Sequence, residues 1–330
     1  MLPWLEFLAA TAVILAAGYR LTRYGDIIAE KTGLSRLWLG MALMAAVTSL
    51  PELATGLSSV LAADLPDIAA GNIMGSCVFN VFILGLLDTL SRKIPLSAKS
   101  HQGNIFSAGM SLIFLGGVAV CLYLGAAFPR LGWVGLYTPA ILVLYLATMR
   151  MAFKFEKRRT STAAAKAALL YEQIALKRAV LGYMLNAAFV VGAAIFLPSI
   201  AEGIAEQTGL GQTFVGNIFV AISTSLPELV VSISAVRLGA IDMAVGNVFG
   251  SNLFNMAILA LEDLFYFKGP LLSFVESQHL IPALLAMAMT GLAIAGLIYN
   301  AGKKYFIWAW DSFGIILLYL ANLVLLYILR

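Results

Sequence analysis

Ten apolar stretches follow one another along the chain, at roughly 4–22, 37–62, 67–90, 103–127, 131–152, 179–200, 212–236, 241–262, 279–299 and 305–329. A helix needs about 20 apolar residues to cross the hydrocarbon core of a bilayer, so each stretch predicts one crossing. A membrane β-barrel would instead carry short segments of alternating polarity. The expected fold is all-α: a polytopic membrane protein with ten transmembrane helices. The first stretch has no basic start, carries Glu6 and outruns a signal core, so it reads as a retained helix.

Polar residues interrupt the apolar pattern at two places, and the two match. Thr-Ser-Leu-Pro-Glu-Leu occupies 48–53 in the second stretch and 224–229 in the seventh. Each copy is followed by a second shared string. Gly71-Asn72, Gly75-Ser76 and Asn80 lie in the third stretch; Gly246-Asn247, Gly250-Ser251 and Asn255 lie in the eighth. The offset is 176 residues at the glutamates and 175 at the last asparagines. The chain therefore divides into a first five-helix repeat (1–153), a linker (154–178) and a second five-helix repeat (179–330). Five crossings per repeat is an odd number, so the second copy is inverted relative to the first. Such folds place their ligand near the midplane, where the repeats meet.

Pro51 and Pro227 lack an amide hydrogen and clash with the preceding turn, so both stretches kink or break there. Carbonyls around 45–48 and 221–224 are expected to lose their regular partners, which the membrane tolerates only beside protein or a polar cavity. Thr48, Ser49 and Glu52 share a helix face, and Thr224, Ser225 and Glu228 repeat the arrangement. Asn72, Ser76 and Asn80 form a polar stripe, matched by Asn247, Ser251 and Asn255. Together these segments offer two carboxylates, hydroxyls, amide oxygens and carbonyls. An all-oxygen set suits hard cations. Ca2+ takes about 6–8 oxygens, and two glutamates neutralise it. Na+ accepts the same hydroxyls and carbonyls, so one dication or several monovalent ions can compete for one chamber. An ionisable residue inside a membrane points to function, and two related by a repeat strengthen that reading over a purely structural one. Gly71, Gly75, Gly246 and Gly250 read as small residues permitting close helix approach. Asn72 and Asn247 read equally as ligands or as interhelical hydrogen bonders. Asp67 and Asp242 read as helix-start residues.

Composition agrees with the hydropathy pattern: 61% of the 330 residues are hydrophobic and 12% charged, about half the charged share of a soluble domain. Cys77 and Cys121 both fall in apolar stretches and read as buried small hydrophobes. The net charge of +4 suggests nucleic acid until the basic residues are placed. Of the Lys and Arg residues, 18 fall in one set of alternate loops and 3 in the other, the bias that marks a cytoplasmic face. Both termini are then extracytoplasmic, in a multi-pass protein of the inner (plasma) membrane. The linker reads as a solvated connection, with the alternative that Thr162–Ala168 forms a helix at the inner leaflet. Glu202, Glu206, Glu262, Asp263 and Glu276 are expected as solvated loop charge on the outer side, with an electrostatic funnel for cations as the alternative. No nucleophile–base pair marks an enzyme. The expected partners are the lipid bilayer and the ions, with no cofactor, no nucleic acid and no obligatory protein partner.

The duplicated Thr-Ser-Leu-Pro-Glu and Gly-Asn-x-x-Gly-Ser-x-x-x-Asn pattern resembles the α-repeats of prokaryotic Na+/Ca2+ exchangers, in the cation/Ca2+ exchanger superfamily. The resemblance implies antiport by alternating access, with the first and sixth helices sliding past a core of eight. It implies as ion ligands the Ala45 carbonyl, Thr48, Ser49, Glu52, Ser76 and Asn80, and in the second half the Ala221 carbonyl, Thr224, Ser225, Glu228, Ser251 and Asn255. These exchangers often carry Asp at the position of Asn255. H+/Ca2+ exchangers of the superfamily pair two Glu with Asn, usually without Thr-Ser-Leu-Pro ahead. The retained hydroxyls favour Na+ as counter-ion; H+/Ca2+ antiport and a passive cation channel are the alternatives.

Overall fold

Lipid offers the backbone no hydrogen-bond partner, so long apolar runs fold as helices. Nine helices among the described residues are long and apolar enough to cross a bilayer. The structure is a computed structural model and describes residues 2–91, 93–101, 103–163, 171, 173–197, 199–200, 203–204, 222–304 and 307–328. The first half opens with α1 (Leu2–Thr32). The second crossing is built in pieces: α2 (Arg36–Leu39), a π-helical turn (Gly40–Met44), α3 (Ala45–Thr48), α4 (Leu50–Ser58) and a second π-helical turn (Ser59–Ala63). Next come α5 (Pro66–Thr89), the short α6 (Leu96–Lys99) and α7 (Gly103–Leu124). A two-residue hairpin, β1 (Arg130–Leu131) with β2 (Val134–Gly135), precedes α8 (Tyr137–Ala163). The second half holds α9 (Leu176–Ala194), α10 (Leu226–Arg237), α11 (Ile241–Phe265), α12 (Leu280–Tyr299) and α13 (Trp310–Ile328).

The predicted stretches and the helices coincide, with three differences: α8 continues to Ala163, into the linker expected from 154, and two other helices run longer than their stretches. α1 continues to Thr32, so Arg20 and Arg23 stand on a helix rather than in a loop. α11 continues to Phe265, and Glu262 and Asp263 are fully buried within it instead of forming solvated loop charge. For Asp263 the reason is a set of donors brought to it by the fold: it receives the amides of Gly135 and Leu271 and the hydroxyls of Tyr137 and Thr138 at 2.5–2.9 Å. Glu276 is exposed, as expected. Part of the seventh stretch (212–221), Glu202, Glu206 and most of the Thr162–Ala168 run lie outside the described residues.

α5 and α11 form the centre. Of their apolar windows 83% and 89% are buried, against 28% for α1 and for α9 at the periphery. Close packing needs glycine at a few points. Gly246 lies where a Cβ would come 2.6 Å from the Leu37 carbonyl, and a Cβ on Gly250 would run into that of Met41. The peripheral pair interlocks reciprocally: Gly182 on α9 meets the Tyr24 ring, and Gly25 on α1 meets the Tyr183 ring.

The inverted repeat extends to the clamps that fix the ends of the two central helices. Asp88 near the end of α5 accepts the Leu96 amide at 2.8 Å, as Asp263 near the end of α11 accepts that of Leu271 at 2.6 Å. Asp67 at the start of α5 accepts the Glu276 amide at 2.7 Å, and Asp242 at the start of α11 accepts the His101 amide at 2.6 Å. The turns before these helices match as well, with Asp64 and Gly239 both left-handed. At the first of these turns Lys268 pairs with Asp64 and holds its carboxyl below the usual carboxylate range.

Candidate functional site

Each proline stands in the first turn of a new helix, where its missing amide is no loss. The helix break falls two residues earlier, at serine: Ser49 has φ −91° and ψ 8°, and Ser225 has φ −87° and ψ 8°. Glu52 and Glu228 consequently lie in the first turns of α4 and α10. There the positive end of the helix dipole favours a carboxylate.

The two halves are joined crosswise at these acids. Ser49 Oγ donates to Glu228 Oε1 at 2.9 Å, and Ser225 Oγ donates to Glu52 Oε1 at the same distance. A serine from the acid's own half adds a second donor: Ser76 Oγ to Glu52 Oε1 and Ser251 Oγ to Glu228 Oε1, both at 3.3 Å. The threonines also reach across, Thr224 Oγ1 to Asn72 Oδ1 at 3.1 Å and Thr48 Oγ1 to Asn247 Oδ1 at 3.4 Å. Asn80 Nδ2 donates to Asn252 Oδ1 at 3.1 Å. All ten side chains singled out from the sequence, five in each half, are fully buried and brought together.

What remains unpaired is as informative. Among the described residues, Glu52 Oε2, Glu228 Oε2, Asn80 Oδ1 and Asn255 Oδ1 are buried with no hydrogen-bond partner. A buried acceptor without a donor costs about 1–3 kcal/mol, more when charged. All four are hard oxygens, the donor type that Ca2+ and Na+ take as ligands. No group of three His, Cys, Asp or Glu side chains gathers among the described residues, as a thiolate or imidazole metal site would require.

One expectation needs correction. The Ala45 carbonyl is not loose: it accepts the Ser49 amide at 3.0 Å and the Thr48 hydroxyl at 3.3 Å. Pro51 has no amide hydrogen to offer the carbonyl of Val47, four residues back, which instead accepts a backbone N–H at the Ser49 cap. Ala221 lies outside the described residues. Asn72 and Asn247 act as interhelical hydrogen bonders here; Asn72 Nδ2 also donates to the Glu52 carbonyl at 3.3 Å, and Asn247 Nδ2 to Ser232 Oγ at 3.1 Å. Sequence reasoning missed Asn252, which steadies Asn80 from the facing helix and sits next to Ser251 in the repeated string. Cys77 and Cys121 are free and buried.

The profile of the sodium/calcium exchanger proteins matches residues 2–153 and 178–328. The chain belongs to that family. Sodium/calcium exchanger MaX1 of Methanosarcina acetivorans is 28% identical over 333 residues, 91% of each chain. Inner membrane protein YrbG of Escherichia coli K12 is 28% identical over 267 residues, 75% of this chain and 74% of the relative. The solved structure of the sodium-calcium exchanger NCX_Mj soaked with Na+ and Sr2+ superposes with a TM-score of 0.76 over 98% of both chains at 23% identity, a likeness of fold. The exchanger is thus a multi-pass membrane protein of the cation/Ca2+ exchange class.

Proposed function

We propose that this exchanger is a secondary antiporter that moves Ca2+ against Na+ by alternating access. The ions are held between Glu52 and Glu228 near the bilayer midplane. One observation carries the reading: each glutamate has one oxygen tied to serines of both halves, while the other is buried without a donor. Side-chain oxygens of Thr48, Ser49, Ser76, Asn80, Thr224, Ser225, Ser251 and Asn255 complete the ligand set, with the Ala221 carbonyl. One Ca2+ or two Na+ neutralise the two carboxylates, so the ions exclude one another. The α1–α9 pair slides past the remaining helices to open the chamber to either side. The basic end of the bundle faces the cytoplasm and both termini lie outside, in the cell membrane. Ca2+ uptake by proteoliposomes at fixed pH tests the reading. An imposed Na+ gradient should drive uptake, and indifference to Na+ refutes it.

Asparagine at both 80 and 255 supports a second reading, H+/Ca2+ antiport with the two glutamates as proton carriers. In that case a pH gradient drives the same uptake and Na+ does not. Single-channel currents would instead indicate a passive pore.

A further inference from the structure

Glu262 stands outside the set just described, on α11. It has no exposed surface, and neither carboxylate oxygen has a hydrogen-bond partner among the described residues. It shares the chamber's helix face: Ser251, Asn255 and Glu262 are spaced by four and seven residues, so they form one row. Seven residues rise about 10 Å, which places Glu262 beyond Asn255, near the Phe265 end of α11.

The carboxylate fills a notch in α4. A Cβ on Gly56 would overlap Glu262 Oε1 and come within 2.6 Å of its carboxyl carbon. Gly56 lies one turn beyond Glu52 on that helix, so the notch continues the chamber wall. The repeat is broken at this point. Ser232 stands where the second half matches Gly56, and its hydroxyl accepts Asn247 Nδ2. Leu87 stands where the first half matches Glu262, and it is buried as an ordinary core residue. A carboxylate buried without a donor persists only as the neutral acid or beside a cation.

We propose that Glu262, seated in the Gly56 notch, is a second holding point for a hard cation, in series between the two-glutamate chamber and the Phe265 end of α11. The proposal rests on the chamber binding Ca2+, and its test keeps the two apart. The full chain is reconstituted in proteoliposomes, and radiolabelled Ca2+ is exchanged against unlabelled Ca2+, which needs no counter-ion. Ca2+ titration of the same preparations reads the chamber. Glutamine copies the shape of the neutral acid and lacks the charge of the anion. Glu262→Gln should bind Ca2+ within about twofold of wild type yet self-exchange about tenfold more slowly, the factor that about 1.4 kcal/mol on a barrier produces. Glu262→Asp, which keeps the charge, should recover most of the rate. Gly56→Ala, which expels the carboxylate, should be slow. Wild-type exchange in Glu262→Gln would mean a neutral structural acid and overturn the proposal. Equal slowing in Glu262→Asp and Glu262→Gln would mean that shape rather than charge matters, and would overturn it too. If the glutamine variant does not fold, Glu262→Asp against Gly56→Ala decides, and equal rates overturn it. A wild-type chain that fails to bind Ca2+ would instead overturn the two-glutamate chamber.

Discussion

At Glu52 and Glu228 the two carboxylate oxygens have different surroundings. Oε1 of Glu52 and of Glu228 accepts serine hydroxyls from both repeats, which fixes the orientation of the group. Oε2 is buried and accepts nothing among the described residues. Replacing either acid by glutamine keeps the volume, removes the charge and puts an amide donor or a weaker acceptor in its place. Glu52→Gln and Glu228→Gln should each lower Ca2+ affinity about 100-fold, near 2.7 kcal/mol, as read by Ca2+ titration. Wild-type affinity in either variant would remove that residue from the site. Asn255 supplies a neutral amide oxygen where Asn255→Asp would place a third negative charge. That variant should make Ca2+ flux pH-dependent or shift the Na+/Ca2+ preference, and an unchanged pH and ion profile would make the position peripheral. The ten polar side chains that the fold buries together were legible from the sequence, because each recurs at helical spacing within an apolar stretch and again in the second repeat. Glu262 escaped for the opposite reason. It has no counterpart in the first repeat, where Leu87 stands, and so near a helix end it looked like loop charge.

At the scale of elements, the broken helices do two jobs at once. The break at serine frees each crossing to place a carboxylate at the N-terminus of a half-helix, where the dipole supports it. The prolines, lodged in first turns, keep the break from healing. The position of both breaks was legible to within two residues, since proline acts on the turn that precedes it. The extent of α1 was not, because long basic side chains such as Arg20 and Arg23 can lie on a helix and still reach the interface, so charge alone does not end a crossing. Nor were the donors that bury Asp263, since they come from Gly135, Tyr137 and Thr138, far away in the chain. Alternating access makes a demand on α1 that can be checked. A Cβ on Gly18 would lie 3.8 Å from that of Val230 on α10, a separation suited to a disulfide. The double variant Gly18→Cys and Val230→Cys should cross-link α1 to α10 on oxidation and stop Ca2+ exchange, and reductant should restore it. Undiminished exchange in the cross-linked protein would show that α1 need not move past α10.

For the whole molecule the two-fold relation reaches from the chamber to the clamps at both ends of α5 and α11, and it fails where single copies of a residue appear. The symmetry makes the bundle's two ends alike in backbone, so nothing in the helical frame decides which end faces the cytoplasm. Charge decides it. By that rule the set holding 18 basic residues, Arg20 and Arg23 on α1 among them, is expected at the anionic inner leaflet and the set holding 3 on the outer side. With ten crossings both termini are then expected on the outer side. This outcome is tested by fusing a reporter after Ile328, in two forms: alkaline phosphatase, active only outside the cytoplasm, and green fluorescent protein, bright only within it. The phosphatase fusion should be active and the fluorescent one dark. Shifting the charge balance by replacing Lys303 with glutamine should leave that result intact, since most of the bias lies in the earlier loops. A bright C-terminal fusion in the unaltered chain would invert the molecule in the membrane and assign Glu262 to the inward-facing side of the chamber.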